Sequence, residues 1–374
     1  MSNLLARRST HSGRLERWLG KDRIQDLVEA TYGQKWYGPP IHILDLPGSV
    51  RIGKDGDFTG PFERGVFMTA LDSLEHARKR AMRVPKYGFN TGFASVSDAL
   101  SRASGGFSRQ LSFYKNGSTG VVGVTNSLHK VGSQPIAGTA GSAAPGGRAL
   151  VSTDTGGFSF DNPAAGSYRL TGADISNNVA GNTLLLYDRI FDVAKTMNST
   201  ATEAVTGVPT RYQNTVVTAE DYIGGNFGFV EIGLTALAAT AHNWTVCTYT
   251  DQANAASTLP SVTGNASGIV HRLDHQTLQW FAPLEAGDSG IGAWTQMQCD
   301  AAVATGLVNF VIGHPIGFMS MPLVNTIFPF DWLTNRNQAP RIFANAYLTF
   351  LEITKPSSTN TAYTGSIYMT STSS

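Results

Sequence analysis

The spacing of apolar residues changes once along this 374-residue chain, near residue 110, and that change limits the fold more than any single motif does. Upstream, apolar positions recur at helical spacing; downstream, they alternate. A helix repeats every 3.6 residues and a strand every two, so one pattern cannot serve both. Residues 13–31 place Leu15, Trp18, Ile24, Leu27 and Val28 on one helical face, with Arg14, Glu16, Arg17, Lys21, Asp22 and Asp26 elsewhere. This predicts an amphipathic helix, with Gly20 as an interruption. Residues 37–47 read as extended, because Pro39 and Pro40 oppose helix. A second helix is predicted from Phe62 to Arg83, with Val66, Phe67, Ala70, Leu71 and Leu74 inward. His76, Arg78, Lys79, Arg80 and Arg83 fall late in it, where cations suit the helix dipole. A short third helix is predicted at 95–103.

From Gln110 onward the period is two. Ile291, Ala293, Met297 and Cys299 share one parity, while Trp294, Gln296 and Gln298 share the other. Ala344, Ala346, Leu348 and Phe350 alternate in the same way with Asn345, Tyr347 and Thr349. Further strands are predicted at 110–115, 168–173, 183–191, 214–218, 227–234, 243–250, 276–282 and 305–312, separated by Gly, Asn, Pro and Ser clusters. Many short strands with no helix between them imply a mainly β fold. The expected architecture is an antiparallel β-sandwich of jelly-roll type with an α-helical N-terminal arm.

Three regions follow: a basic helical arm or docking region at 1–110, a β-sandwich body at 111–355, and a Ser/Thr-rich C-terminal tail at 356–374 with one short strand at Ser366 to Met369. Within the body, residues 132–167 are dominated by Gly, Ala, Ser and Pro. An irregular stretch of that length is expected to be a functional loop or an extension laid along a partner.

Charge divides at the same place. Residues 1–110 hold 17 Lys and Arg against 11 Asp and Glu, a net of +6, and the rest hold 11 against 16, a net of −5. Such a split is expected where two ends face different surroundings, as in a shell or scaffold part. Charged residues are 15% of the chain, below the usual ~25%, while 41% are hydrophobic. That balance opposes disorder and points to a surface covered by neighbours. No apolar run approaches the ~18 residues of a membrane span, so no membrane partner is expected. Met1 to Thr10 lacks an apolar core and does not read as a secretory signal. Cys247 and Cys299, in separate predicted strands, read as two buried thiols.

Gly287, Asp288, Ser289 and Gly290 resemble the start of the nucleophile segment of chymotrypsin-like serine proteases, and Thr240, Ala241 and His242 resemble that family's histidine segment. The triad there needs histidine on one barrel and serine on another. Only 47 positions separate His242 from Ser289, and Ile291 stands where a glycine would help form the oxyanion hole. The segment therefore reads as a glycine-rich turn feeding the 291–299 strand, with catalysis by Ser289 the alternative. His271 and His275 are four apart, a metal-binding spacing only on a helix, and Val270, Leu273, Leu278 and Trp280 look like strand or loop. Asp188 and Asp192 beside Arg189 read as turn residues or intersubunit ion-pair partners. No phosphate-loop, dinucleotide or paired-cysteine signature occurs, so no cofactor and no metal are expected.

Three segments carry a family resemblance: RRSTHSGRLERWLG at 7–20, NTLLLYDRIFDVAKTMNSTATEAVTGVPTRYQ at 182–213, and GDSGI at 287–291 followed by an alternating strand. They resemble virion structural proteins of tailed bacteriophages, of the head or capsid-associated kind. The resemblance implies a particle component with no catalytic residues. The pattern does not match the long spine helix and extended hairpin arm of the usual major capsid fold. The expected role is a non-enzymatic head protein, a capsid decoration or minor capsid component, that assembles through its β body and docks by its arm. It would reside in the virion, at the phage head, after assembly in the host cytoplasm.

Expected partners are copies of itself, as a trimer or higher symmetric assembly, and other capsid proteins. Packaged nucleic acid is a further candidate, through the basic arm. Arg7, Arg8, Arg14, Arg17, Trp18, Arg78, Lys79, Arg80 and Arg83 are the candidate interaction residues. Trp280, Trp294, Phe318, Phe328, Phe330 and Trp332 are candidate core or intersubunit anchors. The alternatives are a major capsid protein that forms the shell itself, and a tail or fibre module that binds host glycan.

Overall fold

A computed structural model of the chain describes residues 51–52, 58–59, 92–117, 119–212, 225–274, 280–333, 339–354 and 361–373. Contacts divide the chain into two compact units, Met1–Lys86 and Tyr87–Ser374. In the first, the strands Arg51–Ile52 and Phe58–Thr59 pair antiparallel. The helices predicted at 13–31 and 62–83 lie outside the described residues.

The second unit opens with helix α1, Val96–Arg102, close to the predicted 95–103. Ser95 caps it by accepting from the Asp98 backbone N–H, and Asp98 pairs with Arg102 one turn on. Its principal strands follow in chain order: β1 Ser108–Asn116, β2 Thr125–Ser127, β3 Tyr168–Asn177, β4 Asn182–Thr196, β5 Phe227–Ile232 and β6 Asn243–Thr250. After these come β7 Ala293–Cys299, β8 Leu307–Met321, β9 Phe328–Asp331, β10 Leu348–Ile353 and β11 Ala362–Ser371. The body is thus mainly β, as expected, and its principal strands pair antiparallel in three sheets. The first sheet runs β9-β3-β11-β1 and ends on Ser133–Gln134. The second runs β5-β8-β4-β10-β2, and the third places β7 and β6 between the short strands Glu203–Ala204 and Ala256–Thr258.

The second sheet closes on itself. Residues 271–274 run between its two edge strands, bonding β2 through Ser127 N–H to His271 O (2.7 Å) and Leu273 N–H to Thr125 O (3.1 Å). On their other side they bond β5 through His271 N–H to Ile232 O (3.1 Å) and Asp274 N–H to Val230 O (2.7 Å). No edge of β2 or β5 is left for these residues to template another strand. Strand alternation then sorts side chains into two faces. The inner face holds Leu185, Tyr187, Phe227, Phe229, Leu273, Val311 and Leu351. The outer face is covered twice, because β4 and β8 run through fifteen residues each. One half, with Leu184, Leu186, Met319 and Phe350, packs on Leu170, Ile175, Tyr363 and Ile367 of the first sheet. The other half, with Phe191, Val193, Phe310 and Ile312, packs on Trp244, Tyr249, Trp294 and Met297 of the third.

Three details add to or depart from the sequence reading. The short strand expected at Ser366 to Met369 lies within β11, an interior strand held between β1 and β3. Residues 132–167 carry only two-residue strands, Ser133–Gln134 on β1 and Ser142–Ala143 and Arg148–Ala149 on β4, and lie along their own body: Phe158 packs edge-on against Phe113 and Phe350, and its N–H bonds Leu348 O. Glycine makes that close approach feasible, since a Cβ on Gly156 (φ +100°) would sit 2.3 Å from the Gly138 Cα. In β7, an irregularity opposite Thr248 and Tyr249 breaks the alternation. Trp294 thereby joins Met297 and Cys299 in the core, although plain alternation sets it on the other face. Of the predicted strand at 276–282 only 280–282 are described, and they are not strand. The strand predicted at 214–218 lies outside the described residues.

Candidate functional site

The inner face of the barrel changes from apolar to ionic along β4, and a β-bulge is the cause. In a regular strand positions 189 and 192 face opposite ways. Register slips between Ile312/Gly313 and their partners Phe191/Arg189, so Ile190 is the extra residue and both Arg189 and Asp192 turn inward. Arg189 forks onto Glu231 through two 2.9 Å bonds and donates to Asp192 at 3.0 and 3.1 Å. Glu231 also accepts from Asn309 Nδ2 at 2.8 Å, and Asp192 accepts from Arg148 Nη2 at 2.8 Å. All three ionic side chains at the centre are fully buried.

Burial alone would raise the Glu231 carboxyl, but the guanidinium of Arg189 pulls it well below the usual carboxylate range. Burial drives His129 well below its ordinary value, aided by the charge of Arg189. That ring meets the Tyr347 hydroxyl at 2.9 Å through Nδ1. Lys130, pushed down by burial to about 8, donates to the carbonyls of Gly138 and Thr139. Each carboxylate here is engaged by more than one donor. The cluster ties strands and the 132–167 segment together.

A second polar group lies on the outer face, where the first and third sheets adjoin. Asp188 and His314 are cross-strand partners on β4 and β8. Arg211 clamps Asp188 with bonds of 2.7 and 2.9 Å, and the Tyr347 backbone N–H adds a third at 2.8 Å. The His314 ring stacks on Tyr212 at 3.8 Å and meets Asn226 at 2.8 Å. Burial, with the nearby Arg211 charge, pushes His314 down to about 3, so it is neutral at ordinary pH. Asp188 and Asp192 are therefore ion-pair partners, and both pairs lie within this chain.

The protease-like segment is a turn. Asp288 N–H bonds Glu285 O at 3.1 Å, Gly287 takes φ +103°, and the Tyr249 hydroxyl donates to Asp288 at 2.5 Å. Ser289 is held through its backbone, its N–H on Gln252 Oε1 at 2.8 Å. His242 is committed elsewhere: Nε2 meets Asp274 at 2.8 Å and Nδ1 meets Thr240 O at 3.2 Å. Trp244 Nε1 donates to the same Asp274 oxygen at 3.1 Å. His271 sits in the barrel-closing segment with φ +81°, and His275 lies outside the described residues. Among the described residues no three His, Cys, Asp or Glu gather as metal ligands. Cys247 and Cys299 are free and buried.

The surface carries the signal that sequence reading missed. Beyond residue 110, every described Lys and Arg is buried or half-buried, and the exposed acids are Asp161, Glu285 and Asp300. Soluble surfaces ordinarily carry many charges of both signs. Between Asp300 and Asp331 the sequence has no Asp, Glu, Lys or Arg. The turn joining β8 to β9 falls in that span, and residues 322–327 are all exposed. Of the proposed anchors, Trp294 and Trp332 are core, Phe328 and Phe330 pack partly on the first-sheet core, and Phe318 is exposed beside Trp280 at 5.4 Å. Arg7, Arg8, Arg14, Arg17, Trp18, Arg78, Lys79, Arg80 and Arg83 lie outside the described residues. No helix among the described residues is long and apolar enough to cross a membrane.

No protein-family model matches this chain. No curated protein matches it. Among solved structures it is similar to a mutant VP2 protein of infectious bursal disease virus in derived T=1 particles, at 11% identity over 71% of this chain and 77% of that one, with a TM-score of 0.15. A structure of the Gt strain of that virus aligns at 10% identity over 70% and 80% of the two chains, with a TM-score of 0.13. The crystal structure of the VP2 subviral particle aligns at 9% identity over 71% and 80%, with a TM-score of 0.14. Superpositions this poor carry no argument about function.

Proposed function

We propose that this chain is a non-enzymatic structural component of a virus particle, a decoration or minor capsid protein of a phage head. It assembles through its β body and docks by its basic N-terminal arm. The observation that supports this reading is the surface of the body. Its cations are drawn inward and its exposed charges are three acids, Asp161, Glu285 and Asp300, among the described residues beyond 110. Interface centres are depleted in charge relative to free surface, so a body with so little exposed charge fits one that neighbours cover. The acidic body and the arm's net of +6 also suit contact between unlike surfaces. The phage-head resemblance of residues 7–20, 182–213 and 287–291 supplies the kind of particle.

The test is electron microscopy of the purified full-length protein, paired with its solution mass and its binding to preformed heads. Small symmetric oligomers, trimers foremost, that bind heads are the expected result. Closed shells formed by the protein alone would make it the major capsid protein instead. Binding to glycan without binding to heads would move it to the tail or fibre. A chain that stays monomeric and binds no head overturns the reading.

A further inference from the structure

The β8–β9 turn is built to be presented. Leu323, Val324 and Ile327 are 58, 47 and 67% exposed, three large aliphatic side chains within five residues. The turn is nonetheless held in place. Asn325 takes φ +51°, its N–H bonds Asn177 O at 2.7 Å, and the Thr326 hydroxyl donates to Val324 O at 3.1 Å. Both sides are anchored, Met321 O accepting from Gly181 N–H at 2.8 Å and Phe328 pairing with Ile175 of β3. The adjoining β3–β4 turn, residues 178–181, is Asn-Val-Ala-Gly and equally free of charge. Single exposed aliphatic residues are ordinary on protein surfaces, whereas an ordered, charge-free apolar tip marks a contact.

We propose that this tip is a contact between copies of this chain, with the tips of neighbouring subunits meeting at a symmetry axis. The proposal rests on the assembling role given above and names the surface that performs it. At an axis each residue faces its own image, so any charge there would meet a like charge. A tip without charge is self-complementary in that setting, and the 301–330 span keeps all four charged residue types off this part of the chain. A lipid surface is the weaker fit. Adsorption to anionic bilayers draws on exposed Lys and Arg, and the described ones beyond residue 110 are buried or half-buried.

The experiment compares full-length wild type with Leu323→Glu, Ile327→Glu and Ile327→Lys by sedimentation velocity over a range of concentrations. Circular dichroism confirms that each variant is folded, as expected for exposed positions. Wild type should assemble, each charged variant should need at least about tenfold more protein to reach the same assembly, and an equimolar mixture of Ile327→Glu and Ile327→Lys should recover it. Glutamate variants that assemble as well as wild type, or a mixture that fails to recover, overturn the contact and leave the assembling role standing. A wild type that is monomeric throughout overturns both. Flotation of wild type on phosphatidylserine vesicles, lost in the variants, would assign the tip to lipid and also overturn the contact.

Discussion

Replacing Lys115 with methionine should change the pH dependence of stability by a calculable amount. The Lys115 side chain is almost wholly buried on β1, and its Nζ donates to two neutral acceptors, Val131 O at 3.0 Å and Pro135 O at 2.5 Å. Burial pushes the amine down from 10.5 to about 8. Above pH 10.5 the amine is neutral in folded and unfolded chains alike. As pH falls from 10.5 to 8, the unfolded chain takes up a proton that the folded chain does not, and stability declines. Below 8 the penalty is constant, at about 3 kcal/mol given about 1.4 kcal/mol per tenfold in proton affinity. Lys115→Met keeps the length of the side chain and removes the charge, but leaves two carbonyls without a donor, a pH-independent cost of roughly 1 kcal/mol or more each. Relative to wild type, the variant should therefore gain about 3 kcal/mol between pH 10.5 and pH 7. Urea unfolding of both proteins at four or five pH values measures that difference. Other titrating groups, including Lys130 with its amine also near 8, occur in both proteins and cancel. A stability difference that stays flat within about 0.5 kcal/mol across this range would show that the folded amine keeps its ordinary affinity for protons, and the argument would be wrong.

Other perturbations test the remaining buried groups. Glu231→Gln leaves the Arg189 guanidinium without its full partner in the barrel and should cost about 3–5 kcal/mol, read as a fall in unfolding midpoint. For His242, burial lowers the ring's proton affinity, but the hydrogen bond and charge of Asp274 outweigh it, so the folded value is raised. That contribution is complete below pH 6.5 and fades as pH rises through the folded value, and His242→Gln should abolish this part of the pH dependence of thermal stability. Burial raises the Glu352 carboxyl against the pull of hydrogen bonds from Tyr363 and others, so its unfavourable effect grows as pH rises from the ordinary carboxylate range through the folded value. Glu352→Gln should then be more stable than wild type at neutral pH and lose that advantage in acid. The Asn126 amide can turn to place its unpartnered Oδ1 toward the new amide group.

Period two and short apolar runs were enough to find most of the body. Predicted strands at 168–173, 183–191, 227–234, 243–250 and 305–312 overlap β3, β4, β5, β6 and β8: β3 and β6 bury mainly one side and alternate, whereas β4, β5 and β8 are buried on both sides and show as short apolar runs bounded by turn residues. Periodicity is blind to what lies between strands. Ile190 looks like one more apolar residue, yet as a bulge it turns Arg189 and Asp192 to the same side and creates the ionic cluster. Residues 271–274 have no strand signature, since His271 needs φ +81° and Arg272 and Asp274 are charged, yet their backbone closes the barrel. The exposed tip was legible in one respect. The charge-free run from 301 to 330 is visible in the sequence, but only the fold shows that 322–327 are exposed while Phe310 and Met319 are buried.

The distribution of charge separates two tasks that most surfaces combine. Arg189, Lys195, Glu231, Asp188, Asp192 and Asp274 are buried in pairs and networks, where removing one partner is costly and specificity of register is gained. The same side chains on the surface would have kept copies apart by hydration and repulsion. Placed inside, they stabilise the subunit without reference to neighbours, and they leave the exterior to hydroxyl, amide and aliphatic groups that can pack against another chain. Two independent sets of variants should follow from that division. Changes at Lys115, Glu231 or His242 should move the unfolding midpoint at unchanged oligomeric mass, and changes at Leu323 or Ile327 should move oligomeric mass while leaving the unfolding midpoint unchanged when both are compared at concentrations where wild type is itself dissociated. Coupling of the two readouts in either set would mean that folding and assembly share the same contacts, and the exterior would then be part of the core's stability after all.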